Sequence, residues 1–443
     1  MRQRDIFWFW LPLFASWLLM TAEGPVISAA INRLPNEVIM LAAMGIITSL
    51  SITIESPIIN LLATSTALVR DRASYLLVRR FTLHWCLALT VVAILVGFTP
   101  LFDLIVPGLL DVPDEIAQWV RPGMQIMVFW SAAIGWRRFL QGILIRYNRT
   151  RTIAWGTAIR LFASGGTVIV LAIWGHWPGV IIGSLALMAG VIAEALYATW
   201  AVRPVLANEL ATGTPAADGA ALTYRGLTAF HMPLAATSLL VLLLQPMVTS
   251  SLARLEQPTL SLAAWPVVFQ VALMARAAAL ALPEAVIALH SGTPTFVPLR
   301  RFSLTLTAAV TAGMALFVLT PLARLYVFRV QDMTQEVGSL ALASLPLFLP
   351  LPGLTVLVSW LRGLLIQSRH TRYVNVGMAV NLTITALVLV LGVTRRWPGL
   401  PTAALAMNLA LAGEVLYLAW RTRTTLPASL PLFGAPRTEL SGL

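Results

Sequence analysis

Residues 177–200 read WPGVIIGSLALMAGVIAEALYATW, and residues 397–420 read WPGLPTAALAMNLALAGEVLYLAW. Each stretch is predominantly apolar and carries a single charged residue, Glu194 or Glu414. A helix of about 24 residues rises about 36 Å, which exceeds the roughly 30 Å hydrocarbon core of a bilayer. The two stretches share Trp-Pro-Gly at the start, Glu-x-Leu-Tyr near the end and a closing Trp. They therefore predict two things together: a membrane-spanning helix, and an internal duplication.

The duplication extends over both halves of the chain. An offset of 221 residues carries Pro12 onto Pro233, Pro25 onto Pro246, Arg33 onto Arg254 and Arg79-Arg80-Phe81 onto Arg300-Arg301-Phe302. The same offset carries Thr99-Pro100-Leu101 onto Thr320-Pro321-Leu322, Asp111 onto Asp332, Glu115 onto Glu336, Gly142 onto Gly363 and Arg151 onto Arg372. The opening pair follows with the loss of one residue. Compositional bias generates matches of Leu and Ala; it does not generate Pro, Trp and charge in one register.

Composition fits membrane residence. Of 443 residues, 58% are hydrophobic and only 11% charged, and the mean hydropathy is +0.83. A soluble chain carries about 25% charged residues. The apolar runs are continuous, so they read as helices and not as barrel strands. Twelve spans are expected, at 6–30, 38–68, 83–108, 117–145, 153–175, 178–202, 226–252, 259–289, 303–328, 338–367, 372–393 and 400–421. The first begins so close to the N-terminus that it reads as a retained helix and not as a signal peptide.

Loop charge tests this count. The net charge is +12, and all 30 basic residues are arginine. Between alternate spans lie Arg2 and Arg4, then Arg70, Arg72, Arg79 and Arg80, and later Arg146, Arg149 and Arg151. The same face takes Arg203, Arg225, Arg300, Arg301, Arg369, Arg372, Arg421, Arg423 and Arg437. The other face has fewer arginines, mixed with Asp103, Asp111, Asp114 and Glu115. The positive-inside rule then predicts an inner (plasma) membrane protein with both termini cytoplasmic. This accounts for the basic balance without nucleic acid.

The expected organisation is an N-terminal six-helix bundle over 1–203, a cytoplasmic linker over 204–224, a C-terminal bundle over 225–424 and a tail over 425–443. Six spans are an even number, so both copies insert with the same orientation. They are expected to be related by a pseudo-two-fold axis along the membrane normal, giving a V-shaped all-α protein with a central cleft. Cys86 is alone, there is no P-loop or metal-ligand spacing, and the five histidines are scattered. No cofactor, metal or enzymatic chemistry is expected. His231, deep in the seventh span, reads as a packed core histidine.

Two six-helix bundles in this order resemble the MOP flippase superfamily, which contains the MATE drug exporters and lipid-linked oligosaccharide flippases. The run Arg138-Phe139-Leu140-Gln141-Gly142, followed by Arg149-Thr150-Arg151, is similar to that superfamily's fourth-helix end. SPIINLLATSTALVRDR at 56–72, and Trp265-Pro266-Val267 with Pro283, resemble segments of the progressive ankylosis (ANK) family. That resemblance implies export of an anionic metabolite such as citrate, pyrophosphate or a nucleotide. It also adds Asn60 to the substrate-binding candidates and implies that helices two and eight line the cleft. Proton- or sodium-coupled export of cationic drugs, and flipping of a lipid or lipid-linked precursor, are the alternatives. The chain is expected to act as a monomer.

Charge within a span costs about 2.5–3.5 kcal/mol, so each such residue calls for a partner or a function. Residues charged in one copy only mark candidate sites. Glu55 maps onto Arg276, and the pair is expected to meet across the cleft. Arg137 and Arg138 map onto Val358 and Ser359, and Arg362 maps onto Gln141. With Arg276 they form an anion-binding set, because guanidinium grips carboxylate or phosphate through paired hydrogen bonds. Glu23, beside the helix-kinking Pro25, maps onto Leu244 and joins Glu55 as a proton- or ion-coupling candidate. Glu194 and Glu414 occur in both copies and read as structural, paired with Arg151 and Arg372. Arg160 is expected to be an intrabundle partner, and Glu284 interfacial.

Overall fold

The computed structural model describes residues 2–147, 149–175, 177–210, 222–290, 292–368 and 370–425. Residues 211–221 of the expected linker, the tail beyond 425, Arg369 and Arg437 lie outside the described residues. Among the described residues the structure is helical and contains no β-strand.

Twelve long helical segments follow one another: α1 Gln3–Ile31, α2 Glu37–Leu68, α3 Arg72–Phe98, α4 Asp114–Ile126 continuing as Trp130–Arg146, α5 Thr150–Trp174 and α6 Gly179–Ala201. The second series is α7 Tyr224–Arg254, α8 Pro258–Leu289, α9 Thr293–Leu319, α10 Gln335–Phe348 continuing as Leu351–Gln367, α11 Thr371–Arg395 and α12 Gly399–Thr425. Ten of the described helices are long and apolar enough to cross a membrane, or eleven if the two halves of α10, bent by 43°, are one span. The all-α membrane fold expected from the sequence, with about twelve spans, is found, with the twelve helical segments differing in apolarity. The segment at 117–145 is helical, but Arg121, Gln125, Arg137 and Arg138 reduce its apolarity.

The repeat reappears in the backbone. Non-glycine residues rarely take positive φ, yet Asn36 (60°) and Gln257 (50°) both do, as do Asp111 (59°) and Asp332 (53°). Each pair is 221 residues apart. Six-residue and five-residue π-helical turns, Leu104–Leu109 and Tyr326–Val330, precede the two aspartates. Gly142 and Gly363 are close-contact points: a Cβ on Gly142 would overlap Ser65 Oγ and the Leu62 carbonyl, and one on Gly363 would meet Val286 and the Pro283 carbonyl. Those neighbours are themselves equivalent positions. Small residues of this kind allow membrane helices to approach closely.

The chain forms two compact units. The first comprises residues up to Thr21, Val268–Arg329 and the chain from Ser339 onward; the second comprises Ala22–Val267 and Val330–Gly338. In the second unit α5 packs on α6, and α4 is enclosed by α2, α3 and α6. In the first, α11 packs on α12, and α10 is enclosed by α9, α12 and the end of α8.

Each unit contains one copy of the same fastening. Pro57, which has no N–H for the helical ladder, sits at the break of α2, and the Pro57 carbonyl at that break lies 3.0 Å from His231 Nε2 on α7. In the other unit Trp10 Nε1 of α1 donates to the Ala278 carbonyl of α8 at 3.0 Å. Trp10 and His231 are equivalent positions, as are Pro57 and Ala278. The rings also pack edge-on against equivalent phenylalanines, His231 on Phe81 at 5.2 Å and Trp10 on Phe302 at 5.8 Å. In the neutral ring, His231 Nε2–H donates to Pro57 and Nδ1 accepts from Thr64 Oγ1 at 2.9 Å. His231 is fully buried and is a satisfied core histidine.

Ion pairs show the same exchange within the second unit. Arg33 lies 3.7 Å from Asp332, and Arg254 lies 3.5 Å from Asp111. Arg33 Nη2 donates to the Val330 carbonyl and Arg254 Nη2 to the equivalent Leu109 carbonyl. A first-copy arginine meets a second-copy aspartate, and the reverse, which is the pattern a two-fold relation produces.

His231→Phe leaves the Pro57 carbonyl and the Thr64 hydroxyl without their partner; at about 1–3 kcal/mol per orphaned buried group it should lower thermal stability more than Trp10→Phe, which orphans only the Ala278 carbonyl. Thermal unfolding of the two purified variants compares them, and a wild-type transition for His231→Phe would remove the fastening from the account.

Candidate functional site

The polar residues of the second unit converge on two carboxylates. Glu194 of α6 is 1% exposed and accepts from Arg137 Nη1 and, at 3.0 Å, from Gln141 Nε2. Arg137 and Gln141 stand four residues apart on α4, so both reach the same face. Arg160 of α5 approaches Glu194 at 3.9 Å and grips Glu23 of α1. Its Nε donates to both Glu23 oxygens at 3.1 and 3.0 Å, and its Nη2 donates to Oε2 at 2.5 Å. The guanidinium also lies over the Trp130 ring at 5.7 Å. Arg137, Glu194, Arg160 and Glu23 thus form a continuous, charge-balanced chain.

Glu55 and Arg138 lie beside this chain without joining it. Glu55 is 7% exposed, and its Oε2 has no hydrogen-bond partner among the described residues. The charges acting on it are Arg137, Arg138 and Arg160. The Trp130 indole also acts on it, but with Nε1 outside hydrogen-bond geometry. Arg138 has no carboxylate within ion-pair distance among the described residues, and its buried Nε is unpartnered. Three carboxylates and three guanidiniums are gathered here, with one of each left over.

The first unit repeats the plan with different residues. Glu414 of α12 is fully buried and accepts from Arg362 Nε at 2.8 Å, Arg362 Nη2 at 2.5 Å and Asn381 Nδ2 at 3.0 Å. Arg362 is equivalent to Gln141, and Asn381 to Arg160. The carboxylate is kept, and the Gln141 and Arg160 positions approach it in both copies, but the positive charge comes from Arg137 of α4 and Arg160 of α5 in one copy and from Arg362 of α10 in the other. Arg276 donates from Nε to Thr355 Oγ1 at 2.9 Å and has no carboxylate partner among the described residues. Its charged neighbours are Arg362 and Glu414.

Several expectations change. Glu194 and Glu414 are buried in ion pairs, but their partners are Arg137 with Arg160, and Arg362, rather than Arg151 and Arg372, which are exposed at the starts of α5 and α11. Proximity in the loop suggested those arginines; the helical turn carries them outward. Arg137, Arg362 and Glu23 are engaged in ion pairs. Asn60 donates both amide hydrogens to α7, to the Leu234 carbonyl at 2.8 Å and Ser238 Oγ at 2.6 Å. Glu55 and Arg276 belong to different units. Glu284 is exposed. Trp130, Asn381 and Thr355 escaped the reading of the sequence, since none carries a charge; only the equivalence of Asn381 to Arg160 hinted at its role.

No family model matches the chain, and no curated protein matches it. Solved structures do. An inward-facing MATE family multidrug resistance transporter of the MOP superfamily aligns with a TM-score of 0.72 at 13% identity, covering 92% of this chain and 95% of that one. The lipid II flippase MurJ, inward closed, aligns at 0.70 and 13% identity, covering 94% and 87%. A MOP superfamily transporter from Pyrococcus furiosus, described as having a binding pocket of reverse polarity that suggests a different function, aligns at 0.63 and 12% identity, covering 96% of each chain. At these identities the likeness establishes the fold, which is that of MATE-type membrane proteins.

Breaking a buried ion pair by removing one partner costs about 3–5 kcal/mol. Glu194→Gln should therefore destabilise more than Glu414→Gln, because Arg362 keeps 26% of its side chain exposed while Arg137 keeps 4%. Arg362→Gln should destabilise the protein, and adding Asn381→Arg, which recreates the Gln141–Arg160 arrangement around Glu414, should restore much of the loss. A double variant no more heat-resistant than Arg362→Gln alone would break the equivalence of the two carboxylate sites.

Proposed function

We propose that the protein is a secondary transporter that works by alternating access and moves a small anionic metabolite across the inner (plasma) membrane. The observation that carries this reading is the pair of arginines left without a carboxylate, Arg138 in one unit and Arg276 in the other. Burying an unpaired charge is expensive, and a guanidinium with free donors is suited to carboxylate or phosphate. A bound anion supplies the missing counter-charge.

The fold supports the transport part of the reading, since the MATE transporters and the MurJ flippase share it. The Pyrococcus furiosus relative indicates that pocket polarity varies on this fold. Export of cationic drugs is less well supported: on α1, Glu23 is held by Arg160, which leaves Glu55 as the buried carboxylate of the second-unit cluster outside its ion pairs among the described residues. A lipid-linked substrate is the second reading, favoured by the likeness to MurJ, and its phosphate would address the same arginines. Kinship with the ANK branch agrees with the anionic assignment and rests on the sequence segments quoted above. The division into bundles at 1–203 and 225–424, cytoplasmic termini and a monomeric state belong to the same proposal. Among the described ion pairs, Arg33, Arg121 and Arg254 of the less basic face are each matched by an aspartate.

Glu55 is the coupling group in this scheme. When it is ionised the second-unit cluster is neutral; when it takes up a proton the cluster carries one net positive charge and holds an anion more tightly. Uptake of labelled citrate, pyrophosphate and a cationic dye into proteoliposomes, with and without a pH gradient, tests the assignment. We expect flux of an anion, a reduction of about tenfold or more in Arg138→Gln and Arg276→Ala from loss of a charge-assisted contact, and loss of pH dependence in Glu55→Gln. Transport of the dye alone, or wild-type anion flux in both arginine variants, would overturn it.

A further inference from the structure

A groove of about 640 Å³ runs down the first unit between α1 and α9. Arg4 and Arg301 stand at its head, and Phe7, Leu11, Phe14 and Leu306 continue along its walls. Both arginines are exposed, and neither has a carboxylate within ion-pair distance among the described residues. Asp5, next in the chain, accepts from the Arg2 backbone amide at 2.9 Å. The groove is held rigidly. Gln3 Nε2 ties α1 to the Pro298 carbonyl at 2.8 Å, and Trp10 is fastened to Ala278 while stacking on Phe14 with ring centres 4.9 Å apart.

From Arg4 to Phe14 the helix rises about 15 Å. That is half of the roughly 30 Å hydrocarbon core, the depth of one leaflet. A charged head above an apolar channel one leaflet deep matches a phospholipid, and two unpaired guanidiniums call for a headgroup with net negative charge. We infer that this groove is a binding site for one anionic glycerophospholipid, its phosphate between Arg4 and Arg301 and one acyl chain along Phe7, Leu11 and Phe14.

The internal repeat supplies a control within the same molecule. The equivalent positions on α7 and α3 keep both arginines, as Arg225 and Arg80. There Gln3 is replaced by Tyr224 and Thr305 by His84, and the two side chains bridge the helices at 2.9 Å. Leu306 is replaced by Trp85, which packs against His231 at 5.7 Å. The basic head is therefore common to both copies, while the α1–α9 copy lacks the side chains that bridge the helices in the other. The site follows from that difference and does not depend on which solute is carried.

The test is native mass spectrometry of the full-length protein in detergent with equal amounts of phosphatidylglycerol and phosphatidylethanolamine. Each arginine near the membrane surface contributes about 1 kcal/mol toward an anionic lipid, so retention should favour phosphatidylglycerol by about 10- to 30-fold. Arg4→Gln with Arg301→Gln should bring the ratio near unity. Gln3→Tyr with Thr305→His, which imports the bridge of the other copy, should do so with both arginines in place. Arg80→Gln with Arg225→Gln should leave the ratio at its wild-type value. An unchanged ratio in the first two double variants, an equal loss in the third, or displacement of the lipid by excess inorganic phosphate would each overturn the assignment.

Discussion

A carboxylate buried near the middle of the sixth helix of each copy sets the terms for the rest of this protein. Glu194 and Glu414 are among its least exposed side chains, and an ion stripped of water is tolerated only when fully paired. That requirement recruits α4 and α5 around Glu194, and α10 and α11 around Glu414. The same carboxylate position is satisfied by a different donor set in each copy. The scaffold therefore conserves the need for positive charge, not the residue that supplies it.

The exchange of contacts between copies has a related logic. Helix breaks at α2 and α8 free backbone carbonyls that must find donors, and within a bilayer water is not available to serve. The donors come from the first helix of the opposite copy: the His231 imidazole for Pro57 and the Trp10 indole for Ala278. This explains why each compact unit combines segments from both repeats. A duplicated chain whose copies satisfy one another's backbone gains cohesion without adding polar residues to its lipid-facing surface.

The proposed function rests on the places where equivalence fails. Paired positions that retain a partner in both copies are accounted for by the scaffold. Arg138, Arg276 and Glu55 are not, because the matching position does not repeat the same charge and none has an ion-pair partner among the described residues. The groove at Arg4 and Arg301 follows the same rule on the lipid-facing side: the arginines recur, but the aromatic bridge that fills the space in one copy is absent from the other.

The duplication, the helices and the list of intramembrane charges were all legible in the sequence. Long apolar runs have only one way to satisfy their backbone in lipid, and Pro, Trp and Arg at a constant offset mark the repeat. Even α4, whose charges remove it from the apolar helices, was located by its place in that register. The partners of the charges were not legible. Arg151 and Arg372 lie at helix starts and were natural candidates for Glu194 and Glu414, yet the helical turn directs them outward and brings Arg137, Arg160 and Arg362 inward instead. Contact across helices depends on rotation and depth, which spacing along one chain does not encode. Neutral donors such as Asn381 and Gln141, and the free edge left at Arg138, became visible only when α4, α5 and α6 of one copy and α10, α11 and α12 of the other were packed together. Sequence alone showed which residues needed a reason to be in the membrane; the tertiary structure decided which had already found one.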